Sequence, residues 1–351
     1  MLNATRNTCK DTRQREQAQK ARPFLRGLEA KAKTLSQPAY CPDLRLANTP
    51  IYHLIPPADI NMLIPEVIKK CVVFVGVEST KGGSSPVHWG GTGFFVMLES
   101  GSLSNIHFMY LVTAGHVAKQ LKGQRFFIRA NTKDGHSVTF QGDDTVKWWS
   151  HPEDDAADVA VFPFPTLPEA LIGRLDYSAL PTTVFLNEND RAKEGIGEGN
   201  EVVIVGLFSR HAGNSKNLPL VRMGTVAMFP EERIPIRNYG NMDAYLIEAR
   251  SIGGLSGSPV FVLHHPGKSR LGLHLLGLVH GHWDVGPDQI IDVTREDASS
   301  KDNINMGIAI VTPAKKIIET INRKELAAIR KDAEAKWIAD NSPTPDAQMG
   351  G

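Results

Sequence analysis

Cysteine is scarce in this chain of 351 residues, and the three that occur, Cys9, Cys41 and Cys71, are widely separated. An odd and dispersed set excludes a disulfide framework, and no CxxC pair or Cys/His cluster has the spacing of a zinc site. The sequence also lacks an apolar run of about 18 residues, which a membrane-spanning helix would need, and its first 20 residues lack the apolar core of a secretory signal. These absences predict a cytoplasmic protein in a reducing compartment, with no membrane partner.

An excess of charge of one sign is also missing. Lys and Arg number 39 and Asp and Glu 38, so nucleic acid is not expected as the main partner. Residues 1–36 are the local exception, with nine basic and three acidic side chains. We expect residues 1–50 to form a basic N-terminal extension, either a solvated helix or a loose tail. A basic arm for an acidic partner and a transit-like segment are the alternatives.

The pattern of residue types along the chain changes at Cys71. Twelve short β-branched and aromatic runs, separated by Gly, Pro, Asn and Asp, follow one another up to about residue 312. Such runs favour an all-β barrel or sandwich over alternating strands and helices. We therefore predict one domain over residues 51–320, with an internal boundary near 170–200. Apolar residues at helical spacing then predict a closing helix over 313–340, and a disordered tail over 341–351.

The segment "SIGGLSGSPVF" surrounds Ser256 with glycine. Glycines this dense suit a backbone that adopts positive φ or approaches another group closely. A serine nucleophile needs a base to take its proton and amide groups to receive the oxyanion that forms. The amides of Gly254 and Ser256 are the candidates for that oxyanion hole. The alternative is an ordinary glycine-rich turn between two strands.

Two further segments offer the partners that such a serine would need. "YLVTAGHVA" places His116 at the end of an apolar strand, where it is either a base or a structural histidine. "HPEDDAADVAVFPF" places Asp158 directly before a buried strand, so its carboxylate is anchored well enough to orient an imidazole. Asp154 and Asp155 belong to a more exposed loop, where acidic residues are usually solvated.

The blocks "TAGHV", "DVAVF" and "GLSGSPV", in the order His, Asp, Ser, resemble the active-site blocks of the trypsin-like serine peptidases. The separations are 42 residues from His116 to Asp158 and 98 from Asp158 to Ser256. The resemblance implies an all-β fold of two six-stranded antiparallel barrels, with a His116–Asp158–Ser256 triad between them and no metal or organic cofactor. The pattern is closest to bacterial glutamyl-endopeptidase and HtrA-type domains. An α/β-hydrolase order fails, because residues 257–282 contain no acidic residue before His282.

Other positions depart from the family or bear on specificity. Leu255 replaces the aspartate that precedes the serine in animal digestive members, so their mode of activation is not expected. By position in the motif, Arg250 would lie at the base of the substrate pocket, and His280 and His282 on or beside its wall. Arg250 predicts a preference for acidic residues, unless it pairs with a nearby carboxylate. The two histidines are spaced to face one side of a strand, yet a metal would lack an obvious third ligand.

His280 also falls where the family often has a small hydroxyl residue that supports the catalytic aspartate. The predicted function is a serine endopeptidase that hydrolyses peptide or protein substrates through an acyl-enzyme. One alternative is a protease-fold binding or regulatory protein that cleaves little. Another is an esterase or a self-processing protein that uses the same three residues.

Overall fold

The structure is a computed structural model that describes residues 64–79, 87–165, 167, 169–249, 254–264, 272–285 and 304–341. Most of its regular secondary structure is β. The strands are β1 (Val72–Glu78), β2 (Val87–Glu99), β3 (His107–Thr113), β4 (Phe126–Asn131), β5 (Ser137–Gly142), β6 (Trp149–Ser150), β7 (Ala160–Pro163), β8 (Leu180–Pro181), β9 (Glu201–Gly206), β10 (Leu220–Met228), β11 (Ile234–Ile236), β12 (Gly240–Met242), β13 (Tyr245–Glu248), β14 (Pro259–His264), β15 (Gly272–Val285) and β16 (Ile304–Pro313).

Helices are few and mostly short. They are α1 (Glu66–Lys70), α2 (Gly115–Leu121), α3 (Glu169–Ile172), α4 (Glu188–Glu194), α5 (Ala314–Ile321) and α6 (Lys324–Asn341), with one 3₁₀ turn at Thr182–Val184. The segment predicted as one closing helix is helical in two pieces here, because Asn322 leaves helical geometry at φ −90° and ψ 9°. The predicted N-terminal extension lies outside the described residues. So does the predicted C-terminal tail, except for Asn341, which is the last residue of α6.

The strands form two main units. The first eight make one sheet in the order β5-β4-β1-β2-β3-β7-β6, with β8 paired in parallel to β2. The later unit is a closed six-stranded barrel in the order β10-β13-β16-β15-β14-β9. The all-β class, one barrel and the C-terminal helical segment are therefore confirmed. Pairing among the described residues leaves the first sheet with two end strands, β5 and β6, so the second predicted barrel stays a prediction.

Apolar strand faces account for this arrangement. A large cluster of Phe, Val, Leu and Ile side chains fills the first unit and continues under α5 and α6. It also includes apolar residues of β9, β14 and β15, whereas a smaller cluster lies within the barrel. Strand β14 is buried along its whole length, as the apolar run from Pro259 to Leu263 indicates. Helix α5 begins after Pro313 and packs against β7 and β15.

Candidate active site

Strand pairing brings His116 to Asp158. β3 and β7 are antiparallel with Thr113 opposite Ala160, so the residues after β3 meet those before β7. The Nδ1 atom of His116 lies 2.7 Å from Oδ2 of Asp158, and the His116 backbone amide donates to Oδ1, also at 2.7 Å. A Cβ atom on Gly115 would lie 2.9 Å from Oδ1, so a residue without a side chain permits this close approach.

The Asp158 carboxylate is buried, with 1% of its side chain exposed. Burial acts to raise its pKa, but the hydrogen bonds from His116 and His280 outweigh that effect and hold the pKa below its usual range. Nδ1 of His280 lies 2.6 Å from the same oxygen, Oδ2, that His116 contacts. The ring of Tyr239 packs edge-on against His280 at 4.5 Å. Burial and the charge of Asp158 raise the pKa of Tyr239 to about 12.

A β-bulge explains why His280 reaches Asp158. The pairing of β15 with β16 slips between Val279 and Gly281, so His280 is the extra residue. A bulge changes the direction of the side chain of the extra residue and interrupts the two-residue alternation of the strand. The sequence prediction that His280 and His282 lie on one face assumed that this alternation was unbroken. The structure buries His280, whereas it leaves His282 partly exposed farther along β15. Arg250, the third residue predicted for the pocket, lies outside the described residues.

The turn that carries Ser256 adopts the backbone that its glycines predict. Gly254 has φ +96° and Gly257 has φ +82°, in the left-handed region that favours glycine. A Cβ on Gly257 would lie 2.2 Å from the carbonyl oxygen of Thr92 and 2.4 Å from Oγ1 of Thr113. The turn therefore packs tightly against β2 and against the end of β3, three residues before His116.

Thr92 fastens this turn to both units. Its backbone amide donates to the carbonyl of Ser256 at 3.0 Å, and its hydroxyl donates to the carbonyl of Gly254 at 2.8 Å. The same hydroxyl accepts a hydrogen bond from the amide of Leu207 at 2.9 Å. Thr92 is fully buried, so these bonds are shielded from water. Sequence reasoning missed this residue.

The hydroxyl of Ser256 donates to the carbonyl of His280 at 3.3 Å. Among the hydrogen bonds of the described residues, none joins the Ser256 hydroxyl to His116, and none uses the amide of Gly254 or of Ser256 as a donor. Both amides thus have donor capacity to offer a ligand. Catalytic contacts are often long or differently directed before substrate binds, so the present direction of the hydroxyl is compatible with catalysis.

Asp154 differs from the solvated loop residue that the sequence predicted. Its carboxylate pairs with Arg233 at 2.6 Å and with Lys316 of α5 at 2.9 Å, and 12% of its side chain is exposed. Burial acts to raise its pKa, but these two cations prevail and lower it to about 2. The network ties the loop before Asp158 to helix α5. A cleft of about 830 Å³ lies beside this loop and borders Gly115, Asp158 and Tyr239, so it meets the carboxylate end of the site.

Metal-ligating side chains converge at two places among the described residues. One is the group of His116, Asp158 and His280, and the other consists of Glu194, His264 and His274 on the barrel. The first group is explained by the hydrogen bonds already given. The hydrogen bonds around Asp158 do not involve the second group, Glu194, His264 and His274. None of the described helices is long and apolar enough to cross a membrane.

Comparisons with known proteins concern the fold. No protein-family model and no curated protein matches this chain. The protease domain of MamO from Magnetospirillum magneticum is 16% identical, with a TM-score of 0.44 over 73% of this chain and 97% of that one. The Rv3671c protease from M. tuberculosis, in its active form, is 19% identical, with a TM-score of 0.38 over 82% and 90%. Deg5 is 17% identical, with a TM-score of 0.40 over 72% and 88%.

Proposed function

We propose that this chain is a serine endopeptidase in which Ser256, His116 and Asp158 form the catalytic triad. The observation that carries the proposal is the buried carboxylate of Asp158, which lies 2.7 Å from Nδ1 of His116. This pair lies at the end of β3, and the Ser256 turn packs against the same strand end. A buried acid bonded to Nδ1 leaves Nε2 of the imidazole as the site that takes a proton. No metal or organic cofactor is part of the proposal.

The proposed chemistry is acyl transfer to serine and then to water. The Ser256 hydroxyl turns from the His280 carbonyl toward His116, at the cost of one hydrogen bond of about 1 kcal/mol. Its oxygen attacks the carbonyl carbon of the scissile bond while His116 takes the proton. His116 then returns this proton to the departing amine, and a water molecule hydrolyses the acyl-enzyme by the same two steps.

The amides of Gly254 and Ser256 are the proposed oxyanion donors. The positive φ of Gly254 and the lack of any other acceptor for these amides among the described residues support this role. One such donor contributes roughly 3 to 4 kcal/mol to transition-state stabilisation in comparable sites. Asp158 holds the tautomer of His116, and His280 supports Asp158 at the position where the family often has a small hydroxyl residue.

The finer domain organisation belongs to the same proposal. Residues 51–320 would form the peptidase domain, with the eight-stranded sheet as the counterpart of one barrel and a boundary near 170–200. Peptide or protein substrates follow from the proposed activity. The acidic preference that Arg250 predicts, the cytoplasmic location and a partner for the basic extension over residues 1–50 stay predictions.

A second candidate function is a protease-fold binding or regulatory protein. The hydrogen bond from the Ser256 hydroxyl to the His280 carbonyl favours it, because a hydroxyl bound there is directed away from the base. In that case the site would recognise a peptide without cleaving it.

Labelling by a fluorophosphonate probe separates the two functions. The purified chain is compared with Ser256→Ala, His116→Ala and Asp158→Asn, and circular dichroism checks that each variant is folded. We expect labelling of the wild-type chain, none in the Ser256 and His116 variants, and weak labelling in the Asp158 variant. A folded wild-type chain that is not labelled would remove the peptidase proposal and favour the binding function. Peptide and ester substrates assayed together, and a time course of the chain alone, distinguish an esterase or a self-processing protein.

A further inference from the structure

A second cluster of buried ligand-type side chains lies on the barrel, apart from the proposed triad. Nε2 of His264 lies 2.9 Å from Oε2 of Glu194, and Nε2 of His274 lies 2.8 Å from the same oxygen. The two imidazole rings stack at 5.0 Å with an interplanar angle of 26°. Their side chains are 3% and 2% exposed, and that of Glu194 is 22% exposed. Three ligand atoms thus converge where only the carboxylate reaches solvent.

The register of the β14–β15 hairpin brings the histidines together. Val262 pairs with His274 and His264 pairs with Gly272, so the two histidines are diagonal neighbours on one face of the hairpin. A Cβ on Gly272 would lie 2.1 Å from Nε2 of His264, so glycine leaves the space that the imidazole occupies. Glu194 comes from a different element, the last residue of α4, where Gly195 ends the helix with φ +65°.

Two imidazoles and one carboxylate are a ligand set typical of zinc sites with an open fourth position. Imidazole nitrogen also favours Zn²⁺ over Ca²⁺ or Mg²⁺, which prefer oxygen ligands. Tetrahedral bonds of 2.0 to 2.1 Å require ligand atoms about 3.3 Å apart, so the present contacts would have to open by roughly 0.5 Å. The partly exposed Glu194 side chain supplies that freedom and gives the ion and a water ligand a route from solvent.

We propose that Glu194, His264 and His274 bind one divalent transition-metal ion, with Zn²⁺ as the best match. The ion would join α4 to the hairpin of β14 and β15. His274 precedes His280 by six residues on β15, a distance of roughly 20 Å along a strand, so the ion would take no part in the chemistry proposed at Ser256. It would stabilise the two strands that carry the Ser256 turn and His280. This site is independent of the proposed peptidase activity.

The test measures bound metal in the full chain, purified without a histidine tag. Elemental analysis and isothermal titration of the chelator-treated chain with Zn²⁺ give the stoichiometry and affinity, and thermal unfolding with and without Zn²⁺ gives the shift in Tm. We expect one ion per chain and a rise in Tm on its addition. Glu194→Gln and His274→Gln should lose the ion and the shift, with affinity falling by more than the roughly 100-fold that changes outside the ligand set cost.

The pair His151 and Glu319 provides matched controls. Nε2 of His151 lies 2.9 Å from Oε2 of Glu319, and the His151 side chain is 6% exposed, so the pair has the same chemistry without a second histidine. His151→Gln and Glu319→Gln should keep the ion and the zinc-dependent rise in Tm.

Two results would overturn the proposal. One is a chain that binds no Zn²⁺ and shows no shift in Tm. The other is zinc that remains in Glu194→Gln but is lost in His116→Ala, which would assign the ion to the triad residues. If the Glu194 and His274 variants do not fold, Co²⁺ is added instead to the chelator-treated His116→Ala chain, and its visible absorption spectrum is recorded. Bands of four-coordinate Co²⁺ would support the site at Glu194, His264 and His274, and their absence would refute it.

Discussion

Replacing the Thr92 hydroxyl by a methyl group should destabilise the chain and disturb the Ser256 turn together. Thr92→Val keeps the shape of the side chain but removes the bond to the Gly254 carbonyl and the bond from the Leu207 amide. Both backbone groups are buried, so each would be left without a partner at a cost of about 1 to 3 kcal/mol. The expected loss in free energy of unfolding for the two groups together is therefore about 2 to 6 kcal/mol.

Thr92→Ser is the matched control. It keeps the hydroxyl and both hydrogen bonds and removes one buried methyl group, which costs about 1 kcal/mol. Urea unfolding followed by intrinsic fluorescence measures both variants. At a urea concentration where both remain folded, the rate of fluorophosphonate labelling reports on the turn. It should fall roughly tenfold in Thr92→Val, because a displaced donor loses part of its contribution to oxyanion binding.

The reasoning would be refuted if Thr92→Val and Thr92→Ser lost the same free energy of unfolding. In that case the two hydrogen bonds would not be what holds the turn. A large loss of stability with an unchanged labelling rate would refute only the link between the Thr92 bonds and the proposed oxyanion hole.

Three further predictions concern His280, the Ser256 turn and the loop that precedes Asp158. His280→Ser introduces the small hydroxyl residue common in the family and should keep most of the peptidase activity. His280→Phe should lower kcat, because it removes a hydrogen bond to the Asp158 carboxylate. Equal activities of the two variants would show that His280 does not support Asp158. Gly257→Ala should destabilise the chain in urea by at least about 2 kcal/mol, because its Cβ would lie 2.2 Å from a backbone oxygen at φ +82°; an unchanged midpoint would contradict the tight packing. The Asp154 pKa, lowered from 3.8 to about 2, means that its contribution to stability is present above pH 3.8 and is lost as the pH falls through about 2. Asp154→Asn should therefore flatten the decrease in Tm over that window, and Asp155→Asn, at the exposed neighbour, should not.

The sequence by itself predicted the β class, because short β-branched runs punctuated by turn residues have few other ways to bury their apolar faces. It also predicted the candidate residues His116, Asp158 and Ser256 from their local surroundings. Each of the three lies where an apolar strand meets a loop or a glycine-rich turn. Neighbouring residues alone are enough to predict such a position. The roles of these residues stay predictions until the labelling experiment is done.

Tertiary structure alone decided what surrounds those residues. The bulge that turns His280 to Asp158 depends on the register of two strands, and a slip of one residue changes which face a side chain occupies. Tyr239 and Thr92 reach the site from segments that carry no signal of chemistry in their own sequence.

The Glu194, His264 and His274 cluster shows the same limit. Its carboxylate is 70 positions from the nearer histidine in the chain. The strand that follows α4, β9, pairs with β14, so α4 comes beside the hairpin only in the folded chain. Sequence patterns report the period of each element and the chemistry of its ends. Contacts between distant elements depend on strand register and on packing. Both are determined by the whole chain together, so no local sequence pattern predicts them.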